Sequence, residues 1–219
     1  MVELAIITIG ESPRRDFDLL LKKYLSHVKI SEYGVLDEYD PSVDYIKGES
    51  NRLVSKLSDG SQVVMGHDFA AKQIQLIVDK INFENSANII LLACTGKFTN
   101  IISNIPILLP DKLCGFYFKT FLSDEKLTVC VPNNNQINYI IDKWKRYDIE
   151  VDTVVVSPYL NSEIELYNTF ISIKKFNNRF VVADCIGYDS LFKSALEKNT
   201  KSQVFLPQEI VFSCIGAFV

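Results

Sequence analysis

Asn88-Ile89-Ile90-Leu91-Leu92-Ala93-Cys94-Thr95-Gly96-Lys97-Phe98 is an apolar run that leads directly into Cys-Thr-Gly. A run this short, bounded by turn residues, reads as a strand buried on both faces. At the carboxyl end of a parallel strand the chain leaves the sheet, and α/β proteins bind ligands there. Cys94 stands at that end, beside Thr95 and Gly96, whose backbone N–H groups can approach an anion. Arg179-Phe180-Val181-Val182-Ala183-Asp184-Cys185-Ile186-Gly187-Tyr188-Asp189 repeats the design: apolar strand, Cys, one residue, Gly.

Outward from this pair, strands alternate with helices. The first half reads as a strand over 3–10 and a helix opened by Ser12-Pro13, with the Ser12 hydroxyl as its cap. A strand at 29–36 follows, then a β-hairpin over 53–65 turned by Asp59-Gly60. A helix over 68–82 precedes the Cys94 strand. After Phe98 the pattern gives a short helix, a strand at 107–109 and a helix crossing between halves. The second half reads as strands at 127–132, 153–156, 180–183 and 204–206, with helices at 137–147, 162–176, 189–198 and 208–218. Lys143, Lys145 and Arg146, around the only tryptophan, read as a solvated helix face. Such alternation means right-handed βαβ units and mostly parallel sheets. The halves resemble an internal duplication: two pseudo-symmetric α/β lobes, 1–110 with the terminal helix 207–219, and 111–206. The hairpin is an insertion in the first.

A net charge of −4 with no basic stripe argues against a nucleic-acid partner. No run approaches the ~18 apolar residues that span a bilayer, and the first nine residues read as a core strand, not a signal peptide. Five cysteines, an odd number without CxxC spacing, suggest a reducing cytoplasm and no disulfide framework. The two histidines, His27 and His67, lie at no metal spacing from a cysteine pair. No metal or cofactor is expected, and homo-oligomerisation stays open.

Ile7-Thr8-Ile9-Gly10-Glu11-Ser12-Pro13-Arg14, the Leu57-Ser58-Asp59-Gly60 turn, Leu92-Ala93-Cys94-Thr95-Gly96-Lys97-Phe98 and Ala183-Asp184-Cys185-Ile186-Gly187-Tyr188 together resemble the AroM family, in order over essentially the whole chain. More distantly the chain is similar to the cofactor-independent aspartate/glutamate racemase superfamily, with its maleate isomerase and arylmalonate decarboxylase branches. That resemblance implies two α/β lobes, a site in the cleft between them and one cysteine from each. Cys94-Thr95 looks like the superfamily's first motif, with Gly96 in place of a polar residue. Cys185-Ile186-Gly187 departs further from the second.

A buried cysteine is ordinarily a small hydrophobe, and Cys114, Cys130 and Cys214 read that way. Cys94 and Cys185 stand apart because they end equivalent strands of two half-repeats. As catalysts, one sulfur would remove the proton α to a carboxylate and the other would return one from the opposite face. A helix start behind Cys94 would favour its thiolate. The carboxylate would rest on N–H groups of Thr95, Gly96 and Gly187. Ser12, Arg14 and Asn133 lie on turns at strand ends where they can reach it. Asp184 alternates away from Cys185 and reads as structural. The expected function is a racemase, isomerase or lyase of a small carboxylic acid; the alternative is a non-catalytic carboxylate sensor or binding protein.

Overall fold

A computed structural model describes residues 2–49, 51–122, 125–159, 162–217 and 219. The chain divides into two compact units, Met1–Asp111 with Val211–Val219, and Lys112–Ile210.

The first unit contains β1 (Glu3–Thr8), a 3-10 turn at Arg15–Phe17, α1 (Asp18–Tyr24), β2 (Lys29–Gly34), β3 (Arg52–Lys56), β4 (Gln62–Gly66), α2 (His67–Glu84), β5 (Ile89–Ala93) and β6 (Ile107–Leu108). The chain passes to the second unit along α3 (Pro110–Lys119). There follow β7 (Leu127–Val131), a 3-10 turn at Asn134–Gln136, α4 (Ile137–Lys145), β8 (Val151–Val155), α5 (Glu163–Phe176), β9 (Phe180–Ala183), α6 (Ser190–Thr200) and β10 (Gln203–Phe205). Helix α7 (Pro207–Gly216) carries the chain back.

Each unit holds one four-stranded, wholly parallel sheet, ordered β2-β1-β5-β6 and β8-β7-β9-β10. Counted within its own unit, each sheet runs second, first, third, fourth. The central strands β5, β7 and β9 are apolar without alternation and almost wholly buried, as strands covered on both faces must be. β1 aligns Thr8 with Ala93 at the end of β5, and β7 aligns Cys130 with Ala183 at the end of β9. The antiparallel hairpin β3–β4 turns through Gly60, whose φ of +92° favours glycine. Leu53, Leu57, Val63 and Met65 of this hairpin join the cluster that contains Ile7, Ile90, Leu92 and Cys94.

Three readings need correction. Residues 99–106 form no helix. Their polar groups are met by α2 instead: Gln75 brackets Ile102, its Oε1 accepting the N–H at 2.8 Å and its Nε2 donating to the carbonyl at 2.9 Å. Asn82 Oδ1 accepts from Asn104 N–H and the Ser103 hydroxyl. Helical hydrogen bonds would compete with these. The first helix does not start at Ser12-Pro13, because the Ser12 hydroxyl donates to Asp37 Oδ2 at 2.8 Å, and the 3-10 turn begins only at Arg15. Finally, Lys143 is not on the solvated face: it is 1% exposed, whereas Lys145 and Arg146 are exposed.

Candidate functional site

In both sheets the chain builds to one side of the first strand and then crosses to the other. The crevice this leaves lies at the carboxyl ends of the first and third strands, where open α/β sheets bind ligands. Those ends are β1 and β5 in one unit, β7 and β9 in the other.

Cys94 follows β5 directly and its N–H turns back to the Leu92 carbonyl at 2.7 Å. Cys185 follows β9 by two residues and its N–H turns back to the Ala183 carbonyl at 2.8 Å. The same three-residue hook therefore ends both strands. Cys94 is 7% exposed, and the Gly96 N–H donates to its sulfur at 3.4 Å. That bond takes the place of the expected helix start, since the backbone after Cys94 is irregular. A Cβ on Gly96 would lie 3.1 Å from Phe98 and 3.4 Å from the Cys94 sulfur, so the turn is closely packed. Thr95 is buried beside it.

Ser12 and Arg14 share the first unit with Cys94, Thr95 and Gly96, but both are already engaged. Asp37 holds Ser12 through its N–H as well as its hydroxyl. Arg14, only 8% exposed, lays its guanidinium 4.7 Å over the Phe17 ring. Its Nε and Nη2 pair with the Asp16 carboxylate at 2.8 and 2.5 Å, and Nη1 donates to the Thr8 hydroxyl at 3.1 Å. The carboxylate it meets here is its own neighbour's.

The second unit holds Asn133, Cys185 and Gly187. Asn133 caps the 3-10 turn after β7, its side-chain oxygen accepting from Asn135 N–H at 3.0 Å. Cys185 is partly exposed. A Cβ on Gly187 would stand 2.5 Å from the Tyr159 hydroxyl, so Tyr159 lies directly against this glycine.

Several residues at these strand ends were not singled out by sequence. Leu53 packs toward Gly96, and Ser55 Oγ lies against Gly10. The Glu11 carboxylate accepts the Ser58 N–H at 2.5 Å, tying the hairpin turn to the first βα turn. His67 stacks on Phe98 with centroids 4.7 Å apart, its Nε2 2.7 Å from the Lys97 carbonyl. Tyr159 and Lys143 serve the second unit. The hairpin's link to the site had one sequence signal, the Asp-Gly turn; its target had none. Among the described residues no group of three metal-binding side chains occurs, and no helix is long and apolar enough to cross a membrane.

The profile of the family described as AroM protein matches residues 4–218. The chain belongs to the AroM family. No curated protein matches it. This AroM family member is similar in fold to glutamate racemase from Aquifex pyrophilus, with a TM-score of 0.62 at 14% identity, over 100% of this chain and 84% of that one. It is likewise similar to a liganded double mutant of arylmalonate decarboxylase, with a TM-score of 0.65 at 6% identity, over 99% and 92%. A third likeness is to the maleate isomerase from Pseudomonas putida S16, with a TM-score of 0.54 at 12% identity, over 98% and 91%. At such identities the likeness is one of fold.

Proposed function

We propose that this AroM family member is a cofactor-independent racemase, isomerase or lyase of a small carboxylic acid, with Cys94 and Cys185 as its acid–base pair. The observation that carries this reading is the repeated hook: each sheet delivers one cysteine, in the same local turn, at the end of its third strand. The similar folds include a glutamate racemase, an arylmalonate decarboxylase and a maleate isomerase, each named for a carboxylic acid.

In racemisation, one thiolate takes the proton α to the carboxylate and becomes a thiol. The electron pair left on carbon is delocalised into the carboxylate. The other thiol then protonates that carbon from the opposite face and becomes a thiolate, so charge and protons balance. In a lyase, carbon dioxide leaves in place of the proton and a thiol supplies the replacement. N–H groups at Thr95, Gly96 and Gly187 are the donors assigned to the carboxylate, the Gly96 N–H exchanging its bond to the Cys94 sulfur for the new one.

A sensor or binding protein is the second reading. It is favoured by the burial of Cys94 within the first unit's core cluster and by Arg14's pairing with Asp16.

The test is turnover in deuterated solvent, read as α-proton exchange for glutamate and aspartate, as cis–trans isomerisation for maleate and as decarboxylation for phenylmalonate, with Cys94→Ser and Cys185→Ser as comparators. Serine is nearly isosteric with cysteine but far less acidic, so each variant should fold and lose at least ~10²-fold in turnover. Turnover indifferent to both substitutions overturns the two-thiol mechanism. Carboxylates that raise the melting temperature without exchange or turnover support the sensor.

A further inference from the structure

Asp184 immediately precedes Cys185, and it is anchored at both backbone and side chain. Its N–H donates to the Cys130 carbonyl at 2.9 Å, extending the β7–β9 ladder one residue past the strand. Its carboxylate, on the opposite side of the chain from Cys185, receives Lys143 Nζ on both oxygens, at 2.7 and 2.9 Å. Trp144 Nε1 donates to Oδ2 at 2.9 Å. Both charged side chains are 1% exposed, and Trp144 is fully buried. Cys185 is thus the first residue beyond a fixed point.

Burial of an ion pair is a poor way to gain stability, because desolvation consumes most of the attraction and an apolar pair often does as well. What this pair does provide is a fixed direction. It ties the residue before the thiol to α4, which packs through Ile140 and Trp144 into the core beside β7 and β9. It also sets opposite charges of one unit each behind the Cys185 turn, in a setting where neither is screened by water.

We propose that Lys143, Asp184 and Trp144 form a positioning unit for Cys185, with Asp184 as its pivot. This rests on the reading of Cys185 as a functional thiol. Other titratable groups near that turn include Cys130 from β7, Tyr159 from the segment after β8, Tyr188, and Asp189, whose carboxylate accepts the Phe192 N–H at the start of α6. Burial pushes the Cys130 thiol up to about 12 and Tyr188 well above the usual phenol range. Burial keeps both uncharged over the alkylation range, so Lys143 and Asp184 are the buried charges beside the thiol.

The test is the pH–rate profile for iodoacetamide alkylation of Cys185, followed by peptide mass mapping, with Cys214 as the internal control. Asp184→Asn leaves the Lys143 ammonium alone and should move the Cys185 midpoint down. Lys143→Met leaves the carboxylate alone and should move it up, each by roughly half a pH unit or more. The uncharged Lys143→Met/Asp184→Asn variant should lie near the wild type. A merely structural pair, once broken, would loosen the turn and shift both single variants the same way, or neither; either result overturns the proposal.

Lys143→Met strands a carboxylate in the core. If it does not fold, a second measurement decides, because Trp144 is the only tryptophan. Alkylating Cys185 should shift Trp144 emission in the wild-type protein and leave it unchanged in Asp184→Asn. Emission blind to Cys185 alkylation in the wild type overturns the proposal. Neither measurement uses a substrate, so the positioning unit can stand even where no carboxylate turns over, and turnover can be found where it fails.

Discussion

Asp37 grips Ser12 twice: Oδ1 accepts the Ser12 N–H at 2.6 Å and Oδ2 accepts its hydroxyl at 2.8 Å. The same Oδ2 accepts the Gly34 N–H at 2.8 Å. A carboxylate from the protein's own chain therefore closes the first βα turn. A Cβ on Gly34 would stand 2.2 Å from Asp37 Oδ1 and 2.5 Å from the Gly10 carbonyl, so the approach requires glycine.

Ser12→Ala, which removes one hydrogen bond, should cost about 1 kcal/mol and Asp37→Ala, which removes three, about 2–3 kcal/mol, measurable by urea denaturation. Ser12→Ala should leave stabilisation by carboxylates unchanged. A weaker carboxylate response in that variant would instead make Ser12 a ligand contact.

Gly96 and Gly187 follow the two cysteines at the same spacing but tolerate a methyl group differently. At Gly187 the new Cβ meets three atoms of Tyr159 at 2.5–2.8 Å, and the ring must move. At Gly96 the nearest atom, Phe98 Cε2, lies at 3.1 Å and needs to yield only a few tenths of an ångström. Gly187→Ala should cost about 1–3 kcal/mol and Gly96→Ala less than about 1 kcal/mol. Equal losses in denaturation midpoint would show that Tyr159 relaxes freely.

The unbroken runs of β5 and β9 made the buried parallel strands legible, because only strands covered on both faces dispense with polar alternation. Asp59-Gly60 marked the hairpin, because its turn needs a positive φ. The misses share one cause: a polar side chain recruited by a partner distant in sequence. Ser12 looked like a helix cap until Asp37, 25 residues away, took its hydroxyl. Gln75 and Asn82 likewise replaced helical bonds in 99–106. Lys143 was misread despite a local signal. It occupies the inward stripe Ile140, Lys143, Trp144, Tyr147, at i, i+3, i+4 and i+7. A lone cation on an apolar stripe and a lone acid ending an apolar strand were two halves of one pair. Of the candidate residues, the positions of Cys94 and Cys185 at strand ends were legible. The prior engagement of Arg14 was not, since Asp16 beside it gave no sign of the fork they form.

Glu32 accepts the Arg14 N–H at 2.8 Å, yet its carboxyl titrates above the ordinary 4.5, because burial outweighs that hydrogen bond. A raised folded-state pKa means that the stability contributed by the protonated acid is complete below the unfolded value. It is lost as pH rises through the folded value. Glu32→Gln keeps an acceptor for Arg14 and removes the charge. The melting temperature of the variant relative to wild type should therefore rise between pH 4 and pH 7. Asp59 titrates below its ordinary value because the Ser61 hydroxyl and N–H donate to it. Its contribution runs the other way, present above the unfolded value and lost as pH falls through the folded one, so Asp59→Asn should show the opposite slope, over the range below about pH 4 because the ordinary value is 3.8. Parallel slopes in the two variants would contradict both assignments.

Cys130 is fully buried among Val154, Ile173, Val181 and Ala183, and desolvation alone pushes its thiol up to about 12. At pH 8 a thiol with that value is ionised in roughly one molecule in 10⁴, and the reagent must also reach it. In the native protein Cys130 should therefore be alkylated no faster than the second unit opens, while the partly exposed Cys185 and Cys214 react first. Denaturant added below the unfolding transition should accelerate Cys130, and Cys114 buried in the same unit, far more than Cys185 or Cys214. Cys130→Ser places a hydroxyl in that apolar cluster and should cost about 1–3 kcal/mol; Cys130→Ala should cost less, because it leaves a small void but no unsatisfied donor. Alkylation of Cys130 at the rate of Cys185, with no dependence on denaturant, would show a path to the β7 strand that its burial excludes.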